Sequence, residues 1–228
     1  MKHVLVTGAN RGVGFALCEY YLQKGWRVSA TYRHASQSQE LLSKAESEPH
    51  LSCHQLDVTD YLSVQSLAQT FDSLDLLINN AGYYGPKGYK FGSTDVEEWR
   101  KAIEVNTIAP LKIAEAFYPS LSKGQDKIIA CLSSKVGSMT ENTSGGGYIY
   151  RSSKAGLNSV VKSLSNDLSP QGFIAVALHP GWVQTEMGGP NALIDTNTSA
   201  AGLASVISGL KLEDSGKFID FKGNALPW

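Results

Sequence analysis

Residues 4–14 read Val4-Leu5-Val6-Thr7-Gly8-Ala9-Asn10-Arg11-Gly12-Val13-Gly14. A short apolar run bounded at once by glycines is the pattern of a buried strand that ends in a turn. From Gly12 a helical stretch runs to about Lys24. Gly8 permits a tight turn, Gly12 lets the backbone come close to a pyrophosphate, and Gly14 lets the helix pack closely on the sheet. The start of that helix offers unpaired N–H groups and a partial positive charge to phosphates. No Gly-Lys-Ser/Thr follows, so the stretch is not a P-loop. It is a candidate dinucleotide loop at the first strand-to-helix junction.

The same alternation continues outward. Strands are expected at Val28–Thr31, Leu51–Leu56, Leu74–Ile78, Lys127–Leu132, Phe173–Leu178 and Lys217–Phe221, with helical patterns between most of them. One helix is expected over about Ser36–Ser47, and another starts at Thr94, where Glu97 completes capping-box spacing. Leu157, Val161, Leu164 and Leu168 mark one helix face. Strands alternating with helices mean right-handed βαβ crossovers and a parallel sheet. The expected fold class is α/β, a Rossmann-type doubly wound parallel sheet of about seven strands with helices on both faces. Residues 1–228 form a single domain on this reading, since no repeat or linker divides them. The Gly-rich stretches Tyr83–Gly92, Thr143–Gly147 and Met187–Asn191 are expected loops, and loops at the carboxyl ends of the strands build the ligand crevice.

Composition narrows the function. A net charge of −1 gives no basic excess, so nucleic acid is not expected as a partner. Cys18, Cys53 and Cys131 are odd in number and widely spaced, which suits buried thiols in a reducing compartment and gives no metal set. No apolar run approaches the ~20 residues that span a bilayer, and nothing like a leader precedes Val4. The expectation is a cytoplasmic protein with no membrane partner. After the second strand, Tyr32-Arg33 stands where an acid would bind a ribose 2′-hydroxyl. Arg33 can meet a 2′-phosphate through charge-assisted bonds, and Arg11 can close on it from the other side. The expected cofactor is NADP(H).

Beyond the loop, further motifs follow in order: Asp57-Val58, Asn79-Asn80-Ala81-Gly82, Asn106, Ser133-Ser134, Tyr150-Arg151-Ser152-Ser153-Lys154 and Pro180-Gly181. With Thr7–Gly14 they make the chain resemble the short-chain dehydrogenases/reductases over essentially its whole length. Tyr148–Lys154, His179–Val183, Thr185–Gly189 and Pro227-Trp228 look like the sniffer-type carbonyl reductase and C-factor (C-signal) branch. The resemblance implies carbonyl/alcohol interconversion on NADP(H), a small-molecule carbonyl substrate, and pairing into a homodimer or tetramer. It places Gly8, Asn10, Arg11, Gly12, Val13, Gly14, Arg33, Asp57, Val58, Asn79, Asn80, Ala81 and Gly82 along the cofactor. Pro180, Gly181 and Val183 would flank the nicotinamide, with Thr185 near its amide.

Reduction of a carbonyl leaves an alkoxide that needs a proton. Tyr150 can supply it, but a free phenol has a pKa of about 10. Lys154, four residues on, shares its helical face and is expected to lower that value. By the resemblance Lys154 also bonds the nicotinamide ribose. Ser134 follows the fifth strand and can hold the substrate oxygen; Ser133 and Ser138 compete for that role. Asn106 lies within an expected helix and by the resemblance opens it to hold a water that relays protons to Lys154; the alternative is an asparagine bonding its own backbone. Tyr83, Tyr84, Tyr89 and Phe91 either line an apolar substrate pocket or pack within their loop. His179 can touch the site or be a satisfied strand-end histidine. A dinucleotide-binding signalling protein of C-factor type is the second functional reading. A sugar-nucleotide epimerase is disfavoured by length and glycine spacing.

Overall fold

The apolar runs all become strands. The computed structural model describes Met1–Trp228. Its strands are β1 (His3–Val6), β2 (Arg27–Tyr32), β3 (Leu51–Gln55), β4 (Leu76–Asn79), β5 (Ile128–Leu132), β6 (Ile174–His179) and β7 (Phe218–Asp220). They form one sheet in the order β3-β2-β1-β4-β5-β6-β7, and every pairing is parallel. The order reverses between β1 and β4, which is where the loops leaving an open α/β sheet diverge and leave a crevice.

The helices are α1 (Gly12–Gln23), α2 (Gln39–Ser47), α3 (Tyr61–Ala68), α4 (Val96–Ile103), α5 (Ala109–Lys123), α6 (Tyr148–Leu168) and α7 (Thr196–Gly209). Strand periodicity divides the core between the two faces of the sheet. Val4 and Val6 pack with Leu17, Leu41 and Leu203, from α1, α2 and α7. Leu5, between them, faces the other way and packs with Val64, Phe117 and Val161, from α3, α5 and α6. No helix is long and apolar enough to cross a membrane.

Three local expectations need correction. The helix expected from Ser36 breaks into a 3-10 turn, Ala35–Gln37, before α2 begins. Ser38 causes the break: its buried hydroxyl donates to the His34 carbonyl at 2.8 Å, competing with the helical ladder. The capping box at Thr94 does not form. Asp95 caps α4 instead, accepting from the Glu97 and Glu98 N–H groups at 2.8 and 3.1 Å, and its charge suits a helix N-terminus. The fourth strand starts at Leu76 rather than Leu74. The Asp75 carboxylate accepts from the His3 and Gln125 N–H groups, both at 2.7 Å, while Leu74 N–H turns to the Ser120 carbonyl.

Between α4 and α5 the helix widens into a π turn, Glu104–Ile108, centred on Asn106. Such turns free backbone groups from the regular ladder. This one sits at the carboxyl-edge crevice, opposite α6.

Candidate active site

The site begins where β1 ends. Gly8 and Gly12 have φ near +60°, a backbone region that costs glycine little. A Cβ at Gly8 would lie 2.8 Å from the Ala81 Cα, and one at Gly14 only 2.4 Å from the Asn80 Nδ2. The two strand-end loops therefore touch, and glycine is required for them to do so. Asn80 ties them together: its amide donates to the Thr7 and Gly8 carbonyls at 2.8 and 2.9 Å. The Thr7 hydroxyl accepts from the Asn80 and Ala81 N–H groups, both at 3.1 Å. Asn10 extends the framework to the loop after β2, donating to the Gln37 carbonyl at 2.9 Å.

Arg11 is the N-cap of α1 and makes no side-chain cap bond. The first-turn N–H groups of α1 are thus left for an anion, which fits a pyrophosphate. Arg33 stands exposed just after β2, with no acid beside it. The loop, the uncapped helix and the cation suit a phosphorylated dinucleotide. Arg11 itself is engaged elsewhere: its guanidinium pairs with Glu186. The expected closure of Arg11 on a 2′-phosphate competes with that ion pair. The neighbouring Thr185 also lies over the loop, its methyl 3.2 Å from where a Cβ on Gly12 would be. Segment 185–186 therefore spans from the loop after β6 to the glycine turn.

Across the crevice, Gly147 adopts the left-handed conformation and starts α6 at Tyr148. Tyr150 is half-buried and Lys154, one turn on, is buried. The Lys154 ammonium lies 5.8 Å from the centre of the Tyr150 ring and donates to the Leu132 carbonyl at 2.7 Å. Burial pulls its pKa down to about 8, with Cys131 acting weakly the other way. The Tyr150 phenol is shifted upward, chiefly by desolvation and next by Tyr84; the nearby Ser134 hydroxyl opposes the shift. The expected lowering by Lys154 is therefore absent from the free protein, where the ammonium is directed at the end of β5. The Tyr150 hydroxyl meets Met187 Sδ at 3.8 Å, and the Tyr84 ring lies over the Tyr150 ring at 4.6 Å and 36°.

Only one of the three serines faces the phenol. Ser133 is buried and donates to Asn158 Oδ1 at 2.6 Å. Ser138 is buried and donates to the Trp228 main-chain oxygen at 3.1 Å. Ser134 accepts weakly from the Val136 N–H at 3.4 Å, and its hydroxyl is near enough to Tyr150 to draw the phenol pKa down. Asn106 is fully buried. It accepts from Tyr83 N–H and donates to the Tyr83 carbonyl, both at 2.7 Å, and donates to Ser153 Oγ at 2.9 Å. Its bonds go to another loop and another helix, not to its own backbone.

These elements meet at one edge of the sheet, and their order along the chain is that of a known family. A family model described as short chain dehydrogenase matches residues 2–193. The chain belongs to that family. It is 44% identical to C-signal of Myxococcus xanthus over 155 residues, covering 68% of this chain and 93% of that one. Its fold superposes on the carbonyl reductase Sniffer of D. melanogaster with a TM-score of 0.94 at 33% identity, both chains covered in full. An NADPH-bound carbonyl reductase from chicken fatty liver matches with a TM-score of 0.94 and 33% identity, covering 100% and 99% of the two chains. As a short-chain dehydrogenase the protein is an oxidoreductase with the seven-stranded Rossmann-type sheet expected from its alternation.

Other motif residues of this dehydrogenase divide between crevice and scaffold. Ala81 and Gly82 follow β4 into the crevice; a Cβ on Gly82 would stand 3.5 Å from Asn106 Oδ1 and 3.8 Å from Lys154 Nζ. Asn79 is the last residue of β4. It is buried, and its amide donates to the Pro110 carbonyl at 3.2 Å and toward Cys131 Sγ. It points into the α5 side of the sheet. Asp57 is exposed, and its carboxylate accepts from the Thr59 N–H and hydroxyl at 3.0 and 2.8 Å. Val58 and Val13 pack into opposite faces of the core. Gly181 has φ +87°, and a Cβ there would be 2.7 Å from Ile194 Cδ1. Pro180 accepts from Ser199 Oγ at 2.6 Å, and Val183 is buried. His179 is not satisfied: its Nδ1 is buried without a partner, and desolvation brings its pKa down to about 4, leaving the ring neutral.

One partner escaped sequence reasoning. Glu186 carried no signal, because an acid next to Thr185 has no reason to find Arg11 until the chain folds. Among the loop aromatics, only Tyr84 stacks on Tyr150; the Tyr83 hydroxyl is directed to Glu98, and Phe91 is 91% exposed.

Proposed function

We propose that this chain reduces a carbonyl compound to an alcohol with NADPH, Tyr150 giving the proton. The supporting observation is the meeting of Tyr150, Ser134 and Lys154 across the crevice from an uncapped, glycine-lined helix start. NADPH, when bound, supplies the hydride. Gly8–Gly14 and the start of α1 would hold its pyrophosphate, and Arg33, with Arg11 once released from Glu186, its 2′-phosphate. The family's carbonyl reductases, one of them NADPH-bound, support the same choice.

The Ser134 hydroxyl holds the substrate oxygen next to the phenol. The phenol proton moves from Tyr150 Oη to that oxygen, and the growing negative charge on Tyr150 is stabilised by the Lys154 ammonium. Desolvation shifts the Tyr150 phenol upward, which favours the protonated form that the reaction needs. Asn106 fixes Tyr83 and Ser153, and through them the loop carrying Tyr84 and the helix carrying Lys154. Tyr84, Met187 and the half-exposed Trp182 give the crevice an apolar wall, which suits aldehydes, ketones or quinones with an apolar body. The test is absorbance loss at the nicotinamide band with a panel of such compounds, run with NADPH and with NADH. Turnover with NADPH supports the reading; NADPH binding without turnover of any compound refutes it.

The 44% identity to C-signal favours a second reading, a dinucleotide-binding signalling protein. On that reading NADPH binds with no compound of the panel reduced, and a Tyr150→Phe variant keeps the biological response.

A further inference from the structure

The segment from Ser134 to Tyr150 carries the serine at one end and the phenol at the other. Its first part is held from the inside. The 3-10 turn Lys135–Gly137 lies against α6 so closely that a Cβ on Gly137 would stand 2.9 Å from the Lys154 Cβ, and Arg151 donates to the Val136 carbonyl at 3.2 Å. Its last part is glycine-rich backbone, with Gly145, Gly146 and Gly147 all at positive φ. What holds the middle is Trp228. The Trp228 main-chain oxygen accepts from the Met139 and Thr140 N–H groups at 3.1 and 3.2 Å. It also accepts from the Ser138 and Thr140 hydroxyls, both at 3.1 Å. The Trp228 indole stacks on Phe218 at 5.6 Å and 18°, and Phe218 is buried in β7 beside β6. Leu226 N–H, two residues earlier, donates to the Phe218 carbonyl at 2.8 Å.

A residue with four donors on one oxygen and its ring seated on a core phenylalanine is an anchor. Loops this rich in glycine have much conformational freedom to lose, and a displacement of the order of an ångström at a reacting group is costly. We propose that Trp228 is a positioning residue for the reaction. It pins Ser138–Thr140 to β7 and so fixes the separation of Ser134 from Tyr150. The claim rests on the carbonyl-reductase reading above. It assigns Ser138 to this anchor, where its hydroxyl is engaged, rather than to the substrate.

The experiment compares the full-length chain with Trp228→Ala, Trp228→Phe and Thr140→Val. Each is measured for NADPH-dependent reduction of 4-nitrobenzaldehyde and for amide hydrogen exchange, with circular dichroism and NADPH titration to verify folding. Trp228→Ala is expected to lower kcat about tenfold and raise the aldehyde KM, with the NADPH KM within about twofold. Trp228→Phe keeps the stack and restores kcat. Exchange at Met139 and Thr140 speeds up in the alanine variant and not in the phenylalanine variant. A folded Trp228→Ala that keeps wild-type kcat and aldehyde KM overturns the proposal. So does a loss spread equally over NADPH binding and turnover, since that marks general instability. If the wild-type chain reduces no carbonyl, the enzymatic reading fails separately, and unchanged exchange at Met139 and Thr140 in the alanine variant then refutes the anchor by itself.

Discussion

The Lys154 ammonium donates to the Leu132 carbonyl at 2.7 Å while facing the Tyr150 ring from 5.8 Å. A single hydrogen bond to the end of β5 is a small return for a buried cation, and its pKa falls to about 8 from an ordinary 10.5. Between those two values the unfolded chain holds a proton that the folded chain has released. Stability of the free protein therefore rises with pH across that window, and the burial cost is present in full below it. Lys154→Met removes the charge and keeps the length of the side chain. It is expected to melt several degrees above the wild type at pH 7, with the gap closing as the pH is raised toward 10. Melting curves across that range check it, and a gap independent of pH would contradict it. Gained stability with lost turnover is the usual exchange at a functional site.

Tyr150→Phe deletes the acid and leaves the ring packed under Tyr84. Turnover should fall by about 10²–10⁴-fold, the usual worth of positioned acid catalysis. The Kd for NADPH should stay within about twofold, measured by quenching of protein fluorescence. Retained turnover in this variant would remove Tyr150 from the reaction.

The three serines separate by what each touches. Ser134→Ala should lower kcat by about 10²-fold with little change in melting temperature, because that hydroxyl makes only one weak bond within its own loop. Ser133→Ala should do the reverse. It strands buried Asn158 and costs roughly 1–3 kcal/mol of stability, with kcat nearly unchanged. Chemical denaturation and steady-state kinetics on the two variants decide the assignment.

Glu186 competes with phosphate for Arg11. The pair is exposed, so its strength is small. Glu186→Gln should tighten NADPH binding by about twofold to fivefold and leave NADH almost unaffected. Arg33→Ala should cut the preference for NADPH over NADH by about tenfold, since it removes a charge-assisted bond. Titrations at two salt concentrations test both, because screening weakens each effect. If Glu186→Gln weakens NADPH instead, the ion pair supports the bound state rather than opposing it.

The architecture was legible from local features. Strand runs of alternating faces, a glycine turn at the first strand-to-helix junction and the absence of an acid after β2 are properties of neighbouring residues. So is the placing of Tyr150 and Lys154 on one helical face. Period and backbone freedom are set within a few residues, and they carry to the folded state unchanged.

The destination of individual side chains was not legible in that way. Asn79 turning to Pro110, Arg11 pairing with Glu186, Tyr84 covering Tyr150, and Trp228 gathering four donors from Ser138–Thr140 join residues tens to more than a hundred positions apart. Such pairings depend on which loops the sheet order brings to one edge, and on the desolvation each group meets there. The different surroundings of Ser133, Ser134 and Ser138 arise the same way. All three are hydroxyls within six residues, and only the packing of Asn158 and Trp228 against two of them leaves the third facing the phenol.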